Sequence, residues 1–347
     1  MKKHVKAGAF YRSNKQDVDE ITEQFYAYYR HKLYDQVVKA RTEVTLQVRA
    51  AYGNTDDWHY AEMHASGRAH QMFSAIKRVI IQLSHGCTNT MGMLIKRSYL
   101  MSYLGEIYAY EKLGRRPTGM LTRESIDRAV NDDLFNSNYK DRMAHICSNL
   151  YRELERTLEQ SMLGDEFMGQ ALNRVDSAFG KIERIVQSRE AAKTQARPAY
   201  ETAILDQDDV DEMVEELRTV KGWNTREPRV WTATGKRGYE FERDMRTELV
   251  RSVRSGRIDA AEYVGYSIKD YIWNAVVDSK TDECCLKRDG LTMTEIKAKF
   301  HDDTAPPLHF NCRCDLIPKD EFLDDIWTGL GEPIEAEGFE TWLKKLG

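Results

Sequence analysis

Two stretches of the sequence decide the fold: residues 273–293, WNAVVDSKTDECCLKRDGLTM, and residues 305–318, APPLHFNCRCDLIP. The first predicts a strand that carries Trp273, followed by a turn at Asp289-Gly290. In the second, Pro306-Pro307 holds the chain extended as it enters a loop rich in Cys and His. Together they predict a small mixed α+β unit.

The flanks of this unit indicate more helix and strand. Alternating apolar residues over 266–277 predict a strand with both faces covered. A helix over 294–300 would be capped by Thr294. Upstream, apolar residues from Phe241 to Val253 mark one face of a helix that we expect Gly256 to end, with a second short helix over 259–264.

The N-terminal part of the chain is predicted to be helical throughout. The chain has 347 residues, of which 41% are hydrophobic and 31% charged, with only seven prolines and a net charge of −5. Long unbranched side chains favour helix. Apolar residues at steps of three and four predict buried helix faces over 18–25, 72–83, 94–107, 150–162 and 172–186.

The fold class we predict is α+β, predominantly α-helical. A helical N-terminal region (1–191) is followed by a linker with a short helix (192–238), the mixed unit (239–318) and an acidic, aromatic-bearing tail (319–347). The tail has eight carboxylates against three lysines. It could dock onto a neighbouring subunit or pack back onto its own domain.

The late cluster of Cys and His suggests a metal site. A tetrahedral zinc takes four ligands, usually Cys thiolates and His nitrogens. Cys285, His309, Cys312 and Cys314 supply that number, with Asp282 as a further oxygen donor. We expect no signal peptide or membrane anchor, and in a reducing cytoplasm clustered Cys bind metal more often than they pair. Buried free thiols, or a disulfide from Cys285 to Cys312 or Cys314, remain alternatives to a structural zinc.

Arg313 lies between two Cys that would point inward, so its side chain should point the other way. Its planar guanidinium suits a bidentate pair with Glu248, Asp278 or Asp289. We expect this contact to fix the fold of the unit.

Residues 239–318 resemble the Mu F-like family of phage head-morphogenesis proteins. The family pattern has a Trp-bearing strand, an Asp, a C-x-x-C pair, an Asp-Gly, and then H-x-N-C-R-C with an apolar residue and Pro. An R-T-E element lies upstream, at 246–248. The first Cys of the pair is replaced by Asp282, and Cys284 lies beside Cys285 instead, where adjacent side chains should diverge. The matching positions are Trp273, Asp278, Cys285, Gly290, His309, Asn311, Cys312, Arg313, Cys314 and Pro318.

The resemblance implies a phage minor head protein, a structural assembly factor and not an enzyme. It would bind the portal protein, the major capsid protein or both inside the phage head near the portal, after assembly in the host cytoplasm. There it would assist head morphogenesis, genome packaging or ejection. The alternative is a zinc-dependent hydrolase or nuclease, but the sequence has no H-E-x-x-H, G-x-S-x-G or phosphate-binding Gly loop.

A basic segment near the end of the linker raises the question of nucleic acid. Arg226, Arg229, Lys236 and Arg237 are interleaved with Trp residues, a composition that can contact double-stranded DNA. An ordinary exposed loop explains it as well. We expect no membrane partner and no small-molecule substrate.

Overall fold

The computed structural model describes residues 3–53, 60–114, 121–164, 166–186, 212–213, 215–217, 219–220, 229–234, 236–265, 271–301, 304–318, 333–336 and 339–343. Its fold is predominantly helical α+β, as predicted. Among these residues, no helix combines the length and apolarity needed to cross a bilayer. The helices are α1 (Ala7–Tyr52), α2 (Tyr60–Ala65), α3 (Arg68–Lys112), α4 (Arg123–Asn131), α5 (Tyr139–Leu163), α6 (Met168–Phe179), α7 (Lys236–Tyr263), α8 (Glu283–Leu286), α9 (Met293–Phe300) and α10 (Phe339–Leu343). The strands are β1 (Lys3–Lys6), β2 (Lys181–Val186), β3 (Arg229–Thr234), β4 (Tyr271–Asn274), β5 (Asp315–Pro318) and β6 (Pro333–Ala336).

Helices α1 and α3 are the longest elements, with 46 and 45 residues. The two stripes predicted at 72–83 and 94–107 belong to the single helix α3, because the polar residues between them continue the helix. Their apolar residues are buried in one core with α5, α6 and α7. Representative core residues are Phe25, Leu33, Ile76, Leu94, Tyr99, Leu150, Leu154, Val175, Phe241 and Met245.

Helix α7 crosses α3 at close range. It runs without interruption through Gly256, so the predicted end at this residue is wrong. A Cβ at position 256 would lie 2.3 Å from the carbonyl oxygen of Tyr99 and 2.9 Å from the backbone nitrogen of Tyr103. Glycine at 256 is therefore required by helix packing and not by helix termination.

The stripe predicted as one helix over 172–186 divides into two elements. Helix α6 ends at Phe179, and Gly180 follows with φ 76°, a conformation that favours glycine. The chain then forms β2, which pairs antiparallel with β3, and Lys181 lies opposite Thr234. The segment predicted as a linker thus contains a strand. It also contains helical residues between 212 and 220, as predicted, and they add Met213, Leu217 and Val220 to the core.

The predicted mixed unit is built on the antiparallel pair β4 and β5, in which Trp273 lies opposite Leu316. The described strand is Tyr271–Asn274 and ends before the predicted 277, while residues 266–270 of the prediction lie outside the described residues. Helix α9 is capped by Thr292, two residues before the predicted Thr294, because Thr292 and Glu295 form a reciprocal capping box. The unit has its own core of Tyr110, Ala261, Tyr271, Trp273, Ala275, Cys285, Met293, Ile296, Cys312, Cys314 and Leu316.

The described part of the tail packs back onto the same chain. Strand β6 pairs antiparallel with β1. The rings of Phe339 and Trp342 lie 5.5 and 5.0 Å from that of Tyr108 on α3. The indole nitrogen of Trp342 donates to Glu111, at 2.9 Å. The domain limits stay predictions, although one core joins α1 to α7 and α10.

Candidate metal centre

Two local structures present the Cys and His side chains. Helix α8 presents Cys285, and Asp282 caps this helix because its carboxylate accepts a hydrogen bond from the Cys284 backbone nitrogen at 2.9 Å. The carboxylate of Asp282, predicted as an oxygen ligand, is thus engaged as a cap. The loop between α9 and β5 carries His309 and Cys312, and Cys314 directly precedes β5.

The four predicted ligands fall in two overlapping groups that share Cys285, one with His309 and one with Cys312 and Cys314. The sulfur of Cys285 lies 3.1 Å from Nε2 of His309 and 3.8 Å from the sulfur of Cys312. The sulfurs of Cys285, Cys312 and Cys314 all lie within 4.8 Å of one another. Metal–sulfur bonds of about 2.3 Å place tetrahedral ligands about 3.8 Å apart, so the spacing suits a metal ion. The three thiols are free and their side chains are buried.

The orientation of His309 also suits a ligand. Its Nδ1 lies 2.9 Å from the carbonyl oxygen of Phe310, which favours a proton on Nδ1. The lone pair of Nε2 then faces Cys285. A backbone carbonyl that fixes the tautomer in this way is the usual outer partner of a metal-bound His.

The R-T-E element anchors the ligand loop to α7. The backbone nitrogen of Asn311 donates to the Thr247 hydroxyl at 3.0 Å, and that hydroxyl donates to the Arg243 carbonyl oxygen. Asn311 has φ 61°, the left-handed turn predicted between His309 and Cys312. Thr247 therefore fixes the turn that brings the ligands to one side.

Cys284 is closer to the site than the sequence suggested. We expected its side chain to diverge from that of Cys285, but the two sulfurs lie 3.9 Å apart. The ligand atoms of Cys284, Cys285 and His309 lie within 4.8 Å of one another. The sequence showed only that Cys284 and Cys285 are adjacent. Their side-chain conformations in the fold determine that the two sulfurs lie close together.

The pKa values of the three thiols are shifted in different directions. Burial raises the pKa of Cys285 to about 12. A hydrogen bond from Cys314 lowers the pKa of Cys312, and the same bond raises the pKa of Cys314. Burial opposes loss of the thiol protons, and a cation bound among the sulfurs would favour the thiolate forms.

Other residues of the family pattern, and one neighbour, stabilise the mixed unit. The Trp273 side chain is fully buried, and its backbone oxygen accepts from the nitrogen of Gly290 at 2.8 Å. Gly290 has φ 75°, so the predicted Asp-Gly turn is confirmed. Asp289 accepts a hydrogen bond from the backbone nitrogen of Ala275.

Arg313 pairs with Asp278, one of its three predicted partners. Two parallel hydrogen bonds of 2.6 and 2.7 Å join them, and the pair lowers the pKa of the Asp278 carboxyl. Glu248 has a different role. It is fully buried and forms ion pairs with Arg142 of α5 and Arg251 of α7.

The predicted nucleic-acid segment is only partly described. Arg226 lies outside the described residues, Arg229 begins β3 and Lys236 begins α7. Arg237 is 4% exposed and pairs with Glu153 at 2.7 Å and Glu240 at 2.5 Å. Its guanidinium is thus buried and paired with two carboxylates, and the DNA contact of the segment stays a prediction.

The fold and the site define a predominantly helical α+β protein. Its small mixed unit brings Cys and His side chains together beside the long helices. The family model described as Phage Mu protein F like protein matches residues 149–317, which run from α5 to β5. Over these residues, just under half of the chain, the sequence is similar to that phage family. The match extends upstream of the 239–318 region recognised from motifs. Comparisons with curated proteins and with solved structures gave no significant match.

Proposed function

We propose that the protein is a minor head protein that binds the portal or the inner capsid and acts as a structural assembly factor. The observation that carries this proposal is the burial of Cys285, Cys312 and Cys314 within the core of the Mu F-like unit, at 3% exposure or less. A catalytic zinc keeps an open ligand position beside a general base. Buried thiols packed against Trp273 suit a structural site.

The structural site would hold zinc through Cys285, His309, Cys312 and Cys314. When bound, the metal would supply cross-linking, since its ligands come from α8 and from the loop between α9 and β5. These residues suit the metal because the three sulfurs lie within 4.8 Å of one another and Nε2 of His309 lies 3.1 Å from the sulfur of Cys285. The bound zinc would hold the mixed unit, residues 239–318, in one conformation for binding to its partner.

Metal analysis of protein purified without chelator tests the site. We expect about one zinc per chain, loss of zinc in Cys285→Ser, and full loading in Cys87→Ser. Cys87 is an equally buried thiol in α3, outside the cluster, and serves as the matched control. Less than a few tenths of an equivalent in the wild-type chain would remove the zinc proposal.

Co-expression tests the partner. A tagged chain is produced with the portal protein alone or with the major capsid protein alone, and copurification is measured. We expect stable recovery of at least one of the two, and presence of the chain in mature particles by mass spectrometry. Recovery of neither, or absence from particles, would contradict the proposed role in the head.

Two further assays address the remaining possibilities. Nuclease or peptidase activity with zinc or magnesium, abolished by Cys285→Ser, would replace the structural proposal with the enzymatic one. Binding of double-stranded DNA that falls steeply with added salt would add a DNA contact. Substitution of Arg226 and Arg229 should then reduce the salt dependence.

A further inference from the structure

The turn that joins α4 to α5 carries two residues in an unusual backbone conformation. Phe135 and Asn136 have φ 56° and 59°, in the left-handed region that residues other than glycine seldom adopt. Leu134 and Ser137 flank them and exchange both backbone hydrogen bonds, at 3.1 and 3.2 Å. Two-residue turns of this kind usually contain Asn-Gly, Asp-Gly or Gly-Gly. A bulky aromatic side chain at the first position therefore costs free energy, and it indicates that the ring is needed there.

A buried arginine holds this turn in place. Arg142 of α5 donates from Nη1 to the carbonyl oxygen of Leu134 at 3.2 Å and to that of Ser137. Its Nη2 donates to the fully buried carboxylate of Glu248 on α7. Because Arg142 is itself held by this carboxylate, the turn is attached to both α5 and α7, and its strained backbone persists.

The ring of Phe135 lies against the loop that carries the candidate metal ligands. Its centroid is 5.0 Å from that of Phe310, with 70° between the ring planes, the edge-to-face arrangement that aromatic pairs favour. The Arg243 guanidinium of α7 lies 3.9 Å from the Phe310 centroid. Phe310 is therefore held by one contact from α7 and by another from the α4–α5 turn, which lies outside the predicted mixed unit.

Phe310 connects this contact to the candidate ligand beside it. Its carbonyl oxygen lies 2.9 Å from Nδ1 of His309, and the backbone nitrogen of the next residue, Asn311, donates to Thr247. A shift of Phe310 would move the acceptor of the imidazole, and Nε2 would no longer face Cys285.

We infer that the α4–α5 turn positions the loop of the candidate ligands: Phe135 holds Phe310, and Phe310 orients the His309 ring. The order of the loop follows from these contacts, whereas the consequence for zinc rests on the metal site proposed above. Since Phe135 acts through Phe310, it is a positioning residue.

Hydrogen exchange of the full chain, stripped of metal with a chelator, tests the order of the loop. Phe135 is 39% exposed, so Phe135→Ala leaves the core filled. We expect the amides of Asn311 and Cys312 to exchange about 2- to 10-fold faster in this variant, the factor that corresponds to one aromatic pair. Phe310→Ala should have the same effect, and the double variant should differ little from either single one. Zinc affinity, measured by competition with a chromogenic chelator, should fall by a similar factor.

Phe167→Ala is the matched control. Phe167 is also an exposed phenylalanine in a turn next to α5, but it follows the other end of this 25-residue helix, about 37 Å away. Its replacement should leave the loop amides and the zinc affinity unchanged. Asn136→Gly keeps the Phe135 ring and relieves the backbone, so it should stabilise the turn and leave the loop as in wild type.

The outcomes separate the loop from the metal site. If Phe135→Ala exchanges at the wild-type rate, or equally faster over the whole chain, the positioning role is wrong. Additive effects of Phe135→Ala and Phe310→Ala would also overturn it, because Phe135 would then not act through Phe310. If the loop amides alone exchange faster but the wild-type chain binds no zinc, the positioning role is supported and only the metal site is wrong. Faster loop exchange with unchanged zinc affinity would support the ordering of the loop and refute its consequence for zinc.

Discussion

Gly256→Ala should destabilise the protein, although alanine is the better helix former. In place, the new methyl group would lie 2.3 Å from the Tyr99 carbonyl oxygen and 2.9 Å from the Tyr103 nitrogen. Ordinary contacts begin near 3.4 Å, so α3 and α7 would have to separate by about 1 Å. Both atoms belong to the backbone of α3, so a change of rotamer cannot relieve the clash.

The size of the effect follows from two opposing terms. Overpacking typically costs about 1–3 kcal/mol, and we take about 3 kcal/mol because backbone atoms clash. A gap of about 1 Å also weakens the dispersion contacts along the interface. Replacing Gly by Ala inside a helix returns about 1 kcal/mol. The net loss in the free energy of unfolding is therefore about 2 kcal/mol.

Gly169→Ala is the matched control. Gly169 lies in α6, is exposed, and an added Cβ would meet no atom within 4 Å. The same chemical change should therefore stabilise the protein by up to about 1 kcal/mol. The two substitutions should have opposite signs.

Urea and thermal unfolding measure both variants. An unfolding entropy of about 2.1 cal/mol/K per residue over 347 residues makes about 0.7 kcal/mol/K. A loss of about 2 kcal/mol then lowers Tm by about 3 °C. If Gly256→Ala were as stable as wild type, the close crossing of α3 and α7 would be refuted.

Three further predictions concern single contacts. Burial raises the pKa of Glu106 from 4.5 to about 7, so its stabilising contribution is complete below about pH 4 and is lost as the pH rises through 7. Glu106→Gln lacks this titration. Its free energy of unfolding should therefore gain up to about 3 kcal/mol relative to wild type between pH 4 and pH 8, at about 1.4 kcal/mol per pKa unit. A difference in urea midpoint that stays constant over this pH range would contradict this. Thr247→Val removes the acceptor of the Asn311 N–H and should cost about 1 kcal/mol; hydrogen exchange at Asn311 that stays as slow as in wild type would argue against it. Arg313→Ala should lower the urea midpoint slightly at pH 7, and the difference should vanish in acid as Asp278 protonates; a variant as stable as wild type at pH 7 would show that the pair does not fix the fold.

The sequence alone determined the features that depend on local spacing. The H-x-N-C-R-C loop requires a turn between His309 and Cys312, and Asn311 adopts it. The Asp289-Gly290 turn follows from the need of glycine for a left-handed backbone. Apolar steps of three and four identified the buried faces of the long helices, since helix geometry places such residues on one side.

Tertiary structure decided what depends on residues distant in the chain. Gly256 resembles a helix end in the sequence, and only the backbone of α3 against it shows why glycine is needed. The partner of Arg313 was one of three candidates until the fold placed Asp278 in reach. Arg237 was predicted to contact DNA, and only the fold shows that it is buried beside Glu153 of α5. Local spacing can be read directly from the sequence. Burial and charge compensation arise only when the fold brings distant segments into contact.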